Sequence, residues 1–308
     1  MLLGNNINFL NTSFPGELAA LGAAGLWAVA TVVYGRLGNF YSPVQLNLIK
    51  GVIAIALLVL TLVVGKDQLP LFNLTACGLL LISGVVGIAL GDTAYFKALN
   101  YLGARRALLM ETLAPIFAAI LALIFLQEKL TIGAWCAILL TIVGVAWTIA
   151  ERVPGSSLEQ GLLIRGIGFG VLAAMAQASG IVFSRAALAD TTISPLWAAL
   201  LRLSAGVLML LLLAILLRWN ISLGVKGLFS GRALGAVCFA AFFGTYLAIW
   251  LQQTALKFTA AGIAQTLMTT SPLFVLPIVA FMGEVVTTRA ILGVLVAITG
   301  VALLVSWQ

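Results

Sequence analysis

Apolar runs of about twenty residues recur along the chain, each bounded by charges, proline, glycine or asparagine. A helix of that length crosses the hydrocarbon core of a bilayer. The pattern predicts ten spanning helices, at 17–37, 44–65, 75–98, 104–126, 131–150, 162–187, 195–217, 232–256, 260–283 and 289–307. A tight turn is expected at Tyr101-Leu102-Gly103, and Glu128-Lys129 is expected to end the fourth helix. The segment from Glu151 to Gly161, ERVPGSSLEQG, is the most polar interior stretch and reads as a linker between a 17–150 unit and a 162–307 unit. No run alternates with period two, which excludes a membrane β-barrel.

The second half repeats the first. Laid over Thr287 to Leu303, the segment Thr131 to Trp147 matches at Thr131/Thr287, Ala134/Ala290, Leu139/Leu295, Ile142/Ile298, Gly144/Gly300, Val145/Val301 and Ala146/Ala302. Chance would give roughly two such matches. At nearly the same shift, Ala98-Leu99 falls on Ala255-Leu256, Tyr101 on Phe258, Pro115 on Pro272 and Glu128 on Glu284. Upstream, Ser42-Pro43 lies on Ser194-Pro195 and Lys50 on Arg202. Five helices per half is an odd number, so the second half is expected to enter the membrane inverted, with both termini on one side. The expected fold class is an all-α integral membrane protein of two inverted five-helix repeats, an arrangement that marks transporters.

Composition agrees with a membrane. The 308 residues are 63% hydrophobic and 8% charged, against about 25% charged in a soluble domain. The net charge of +7 is scattered over loops, which suits lipid headgroups and topology rather than nucleic acid. Cys77, Cys136 and Cys238 have no metal-ligand spacing and suggest no disulfide framework. No metal, no cofactor and no phosphate-binding loop is expected. The stretch Met1 to Pro15 lacks the positive start of a signal peptide. Sequons begin at Asn11, Asn73 and Asn220.

Residues that do not belong in lipid carry the candidate chemistry. A charge at a helix centre costs roughly 2.5–3.5 kcal/mol on insertion scales. Asp92 and Glu111 are equally far from the expected turn, which places them at one depth, about 14 Å in. Two facing carboxylates in a low dielectric resist double ionisation, so the pair is a candidate for proton coupling. The structural alternative is ion pairing with Lys97, Arg105 or Arg106. The counterparts of the two acids are Ile249 and Met268, so the repeat is chemically asymmetric there. Trp27, Tyr95, Gln177, Tyr246, Trp250, Gln252, Gln253, Gln265, Thr269 and Thr270 lie deep in helices and must find partners or a wet cavity. Together they suggest a polar-lined cavity with aromatic walls. Pro115 and Pro272, expected mid-helix, predict matched kinks or hinges. Gly84, Gly87 and Gly91, and Gly166, Gly168 and Gly170, predict close helix packing.

Trp27 with Arg36, Ser42-Pro43 before Lys50, and Ala98-Leu99 before a turn form an ordered set. Leu113-Ala114-Pro115, then Leu126 to Thr131 (LQEKLT) and Gly144, complete it, and most of the set recurs in the second half. In this the chain resembles the drug/metabolite transporter superfamily in its ten-helix form of two EamA domains. The resemblance implies a transporter for small metabolites, often an exporter of amino acids, working by alternating access around a central cavity. It also implies both termini in the cytoplasm, whereas the loop charges place them outside: Arg105, Arg106, Arg152, Arg165, Arg218, Lys226, Arg232 and Arg289 oppose Lys66, Lys129, Lys257 and Arg185. Lys50 stands where the family commonly has Arg, and Gln127 where Gly often precedes the Glu. The expected protein is no enzyme but a secondary transporter, with proton coupling as a candidate property, in the inner membrane of a bacterium. Its partners would be a small metabolite and membrane lipids, as a monomer or homodimer. The alternatives are an uncoupled facilitator or lipid-like flippase, and an intramembrane enzyme using Asp92 and Glu111 as acid and base.

Overall fold

The computed structural model of the chain describes residues 15–38, 40–66, 73–150, 160–189, 191–216, 231–281 and 288–306. Among these residues the chain is helical throughout, without a strand. Helices α1 (Pro15–Leu37) and α2 (Pro43–Gly65) are followed by α3 (Leu74–Ser83), a π-helical segment (Gly84–Asp92) and α4 (Thr93–Glu111). Then come α5 (Ala114–Phe125) and α6 (Ile132–Ala150). The second half has α7 (Gln160–Leu188), α8 (Pro195–Leu216) and α9 (Gly231–Ala241), a second π-helical segment (Phe242–Leu247) and α10 (Ala248–Phe258). It continues with α11 (Ala261–Met268), α12 (Ser271–Phe281) and α13 (Thr288–Ser306). Six stretches among the described residues are long and apolar enough to cross a membrane: Pro15–Leu37, Pro43–Gly65, Leu74–Leu102, Gly161–Leu188, Pro195–Leu216 and Ala233–Phe258. Shorter apolar helices run over Ala114–Phe125, Ile132–Trp147 and Ile291–Val305. Large apolar side chains such as Val63, Val64, Phe125, Ile215 and Leu216 face outward, where lipid replaces water.

Local sequence explains the helix ends. Ser42 caps α2 in a reciprocal box: its Oγ accepts from the Gln45 amide, and Gln45 Oε1 accepts from the Ser42 amide at 2.9 Å. Pro43 fits the first turn because no partner for its missing N–H is needed there. Most of the expected linker, Glu151 to Glu159, lies outside the described residues, as does Glu284; Gln160 and Gly161 already belong to α7.

Two expectations about helix breaks are corrected. Tyr101-Leu102-Gly103 is helical, not a turn. A straight helix from Leu74 to Glu111 would nonetheless be about 57 Å long, nearly twice the hydrocarbon thickness. Contacts along α7 show where the chain doubles back. Gly87 meets Gly180, Gly91 meets Ala176 and Leu102 meets Gly166, but Met110 meets Gly170. The direction therefore reverses between Leu102 and Met110. Because the reversal comes late, the backbone beside Asp92 and that beside Glu111 differ in level by about 9 Å on the α7 scale, instead of sharing one depth.

The second correction concerns the prolines. Pro115 and Pro272 do not kink continuous helices. The chain breaks at Thr112–Leu113 and again at Thr269–Thr270, and each proline stands second in the helix that restarts. A proline there loses no hydrogen bond, so the break comes before it and the restart is unstrained.

The repeats interlock through matched contacts. A Cβ on Gly144 would lie 2.3 Å from the Ala297 nitrogen, and one on Gly300 would lie 2.4 Å from Thr141 Oγ1. Thr141 is the counterpart of Ala297 and Gly144 of Gly300, so the two contacts are copies related by a pseudo-twofold. As the number rises on α6 it falls on α13, so these helices run antiparallel. A second matched pair joins the π segments to the first helices of the opposite repeats: Gly87 meets Gly180, and Gly244 meets Ala30. The register that lays Ala98-Leu99 on Ala255-Leu256 also lays Gly87 on Gly244, so the π segments are themselves duplicated.

Gly144→Ala and Gly300→Ala should each force α6 and α13 apart and lower stability by about 1–3 kcal/mol, with similar values for the two. Thermal unfolding in detergent measures this. Gln127 occupies the left-handed region at φ 55, with its Nε2 donating to Ile124 O at 2.9 Å. Gln127→Val should therefore cost about 1–2 kcal/mol in the same assay, whereas Gln127→Gly should not.

Candidate functional site

A cavity of about 760 Å³, counting its open mouth, lies between the halves. From the first half, α1 contributes Trp27, Thr31 and Tyr34, and α2 contributes Lys50. Asp92 ends the first π segment, and α4 contributes Tyr95, Phe96 and Glu111. From the second half, α7 contributes Gln177, and the chain around the Thr269–Thr270 break contributes Gln265, Met268, Thr269 and Ser271. Glu111 immediately precedes the other break. Interrupted helices at mid-membrane leave backbone groups free to face a cavity, which is where transporters place their sites.

Lys50 forms the central ion pair with Asp92, the two side chains being only 6% and 13% exposed. The ammonium also lies 5.1 Å from the centre of the Phe96 ring and 5.9 Å from that of Tyr34. The aromatic faces add attraction for a cation that has left water. Tyr34 is held in place by its hydroxyl against Thr245 Oγ1 of the second repeat at 2.9 Å. Asn47, one turn before Lys50, donates to Ile88 O at 2.9 Å and to Thr93 Oγ1 at 3.1 Å. It thereby serves a carbonyl inside the π segment that presents Asp92.

The ion partner of Asp92 was not among those expected. Lys97 instead places its ammonium 4.9 Å from the ring centre of Phe169, which stacks on Tyr101 at 5.9 Å. The side chains of Arg105 and Arg106 lie outside the described residues. No salt bridge reaches Glu111 among the described residues.

Seven of the twelve residues singled out for the cavity meet there: Trp27, Asp92, Tyr95, Glu111, Gln177, Gln265 and Thr269. Tyr246, Trp250, Gln252, Gln253 and Thr270 are not in its lining. Tyr246 bonds to Thr61 Oγ1 at 2.7 Å, and Tyr246 and Trp250 pack against Leu58 and Leu203 between α2 and α8. Gln253 is fully buried, and neither atom of its amide finds a hydrogen-bond partner. Lys50, Tyr34 and Phe96 are lining residues that sequence reasoning missed. The position of Lys50, mid-span in the most apolar of the long helices, was the available signal.

Polar groups close the end of the bundle where α1 begins. Arg185 donates from Nε to Glu128 Oε1 at 2.7 Å and from Nη1 to the Leu256 and Lys257 carbonyls at 2.9 and 3.0 Å. The second oxygen of Glu128 accepts from the Ala261 amide at 3.0 Å, at the start of α11. Lys257 donates to Ile193 O at 2.7 Å, and Thr259 donates to Glu17 at 3.0 Å. This clasp fastens the α5–α6 connection of the first repeat onto three elements of the second. Ala20, Ala23, Ala264 and Leu267, on α1 and α11, belong to one buried apolar cluster.

These features define a polytopic helical membrane protein built around a polar chamber shared by two repeats. The sequence model of the EamA-like transporter family matches residues 14–150 and 164–306, one match per repeat, and the chain belongs to that family. It is therefore a multi-pass membrane transporter, and the family's members are not enzymes. Comparison with curated proteins finds no match. A solved structure described only as "Crystal structure of protein" is similar over 95% of this chain and 96% of its own, with a TM-score of 0.77 and 16% identity. At that identity the likeness speaks for the fold alone.

Breaking the Lys50–Asp92 pair should be far more damaging than removing it. Asp92→Asn and Lys50→Met should each cost about 3–5 kcal/mol, because each strands the other group in the interior. Lys50→Met combined with Asp92→Leu should recover most of that loss. A double-mutant cycle on thermal unfolding measures the coupling.

Proposed function

We propose that this protein is a secondary transporter that exports small organic metabolites such as amino acids and related compounds. Two five-helix repeats, inversely inserted in a bacterial inner membrane, would give alternating access to the cavity. The observation that carries this reading is a mid-span chamber built from both repeats and bordered by two matched helix breaks, beside Glu111 and at Thr269–Thr270. The inversion is supported by the antiparallel crossing of α6 and α13 and its paired glycine contacts.

In the state described here, the Glu128–Arg185 clasp shuts the end where α1 begins. Access from that side requires the clasp to part. The interfaces at Gly87–Gly180 and Gly244–Ala30 are small-residue contacts, across which rigid halves rock at low cost. The cavity's charges make it selective. The Lys50–Asp92 pair offers both signs to a polar molecule, and the aromatic rings of Trp27, Tyr34, Tyr95 and Phe96 offer apolar contact.

Proton coupling is proposed through Asp92 and Glu111. Both acids face one chamber, and Asp92 already neutralises Lys50. Glu111 is the acid free to exchange a proton with the chamber during the cycle. An uncoupled facilitator would share the architecture and lack the pH response.

The test is flux of a metabolite library into proteoliposomes, with and without a pH gradient. The wild type should move at least one small polar metabolite, faster with a proton gradient. Glu111→Gln, which leaves the ion pair intact, should flatten the pH profile by removing the titrating group. Asp92→Asn should alter it as well. Parent-like pH profiles in both variants would end the coupling proposal and leave the uncoupled facilitator.

A further inference from the structure

The repeat explains one charge and leaves another without an answer. Lys50 and Arg202 occupy equivalent positions, each downstream of a Ser-Pro helix start. Lys50 has Asp92. The residue equivalent to Asp92 is Ile249, so the second repeat lacks the acid. Arg202 is 1% exposed and forms no salt bridge among the described residues. Its Nη1 donates to Gln252 Oε1 at 2.8 Å, and its Nε has no hydrogen-bond partner. Asp92 acts on it through space, but its Oδ2 is held by Lys50.

A guanidinium does not shed its proton to escape this situation. Holding it in the interior without an adjacent anion is costly, and protein interiors keep such a charge where it has work to do. The route to it is also built. Gln177 lines the cavity, and its Oε1 has no partner. Gly87 has no side chain, and Arg202 Nη2 and Gln177 Oε1 lie 2.9 and 3.3 Å from where its Cβ would be. Gln177 thus lies both in the cavity wall and close to the guanidinium. A swing of its side chain connects the two.

We propose that Arg202 is an anion-binding residue of the cavity, and that a carboxylate of the transported molecule supplies the acid the second repeat lacks. Guanidinium and carboxylate match in a forked, two-bond geometry, which makes a carboxylate a better fit than a spherical ion. The inference rests on the transporter reading and narrows its substrates to molecules bearing a carboxylate. Ile249 sits one turn before Gln252 on the same helix face, so an acid there reaches the guanidinium that Gln252 now touches.

The test uses the full-length protein in detergent, with thermal midpoints read in sodium acetate and sodium benzoate, in acetamide and benzamide at matched concentration, and in sodium chloride. The carboxylates should raise the midpoint by roughly 3 °C over the amides and over chloride. Ile249→Asp should raise the ligand-free midpoint and abolish the carboxylate response, because the vacancy is filled from within. Arg202→Gln, where it folds, should abolish the response as well. Equal shifts with acids and amides, equal shifts with chloride, no shift with any compound, or an undiminished response in Ile249→Asp would each overturn the site. Wild-type flux in proteoliposomes, measured alongside, separates the two levels. Flux without preference for carboxylates overturns the anion site alone, and absence of flux for the whole library counts against the transporter reading.

Discussion

A charge placed halfway through lipid must be answered by another charge, and in this chain the answer is Lys50 against Asp92. Much else is arranged around that pair. Asp92 ends a π-helical turn whose widened backbone leaves a carbonyl for Asn47 to serve. Tyr34 and Phe96 wrap the ammonium, and Tyr34 is itself anchored by Thr245 from the other half. A single ion pair thus fixes α1, α2, the π segment and the second repeat relative to one another. It also places both signs of charge in a chamber whose other polar groups, Glu111 apart, are neutral.

Much of this was legible from the residues. Lipid admits only long apolar windows between polar breaks, so six of the ten expected spans recur as long apolar helices among the described residues, and duplication was visible in the Thr131 and Thr287 segments. The depth of the acids was less legible, because the chain doubles back between Leu102 and Met110, a few residues later than the turn expected at Tyr101-Leu102-Gly103. The prolines were visible but their geometry was not. A proline in an apolar run reads equally as a kink within one helix or as the start of another, and only the breaks at Thr112–Leu113 and Thr269–Thr270 decide. Tyr246, Trp250 and Gln253 miss the cavity for a further reason. They lie within or just beyond the second π segment, whose wider turn rotates the helix face away from the one a regular period assigns. Lys50 stood out as a cation in an apolar span, but its partner lies on a different helix, beyond what spacing along one chain reveals.

The two repeats are joined at contrasting surfaces. Where glycines face one another, the backbones touch and no side chain bars a small rotation. Where Glu128 and Arg185 meet, the bonds are directional, and both of those made by Glu128 cross from one repeat to the other. The chemical asymmetry is superimposed on this. Both repeats keep a cation in the second helix, but only one keeps the acid that answers it, so the mechanics are symmetric while the electrostatics are not.

The contact between α6 and α13 is reciprocal. Each helix offers the other a glycine and a small residue one turn away, Gly144 with Thr141 on α6 and Gly300 with Ala297 on α13, in opposite senses. A change that widens either glycine therefore strains both repeats at once.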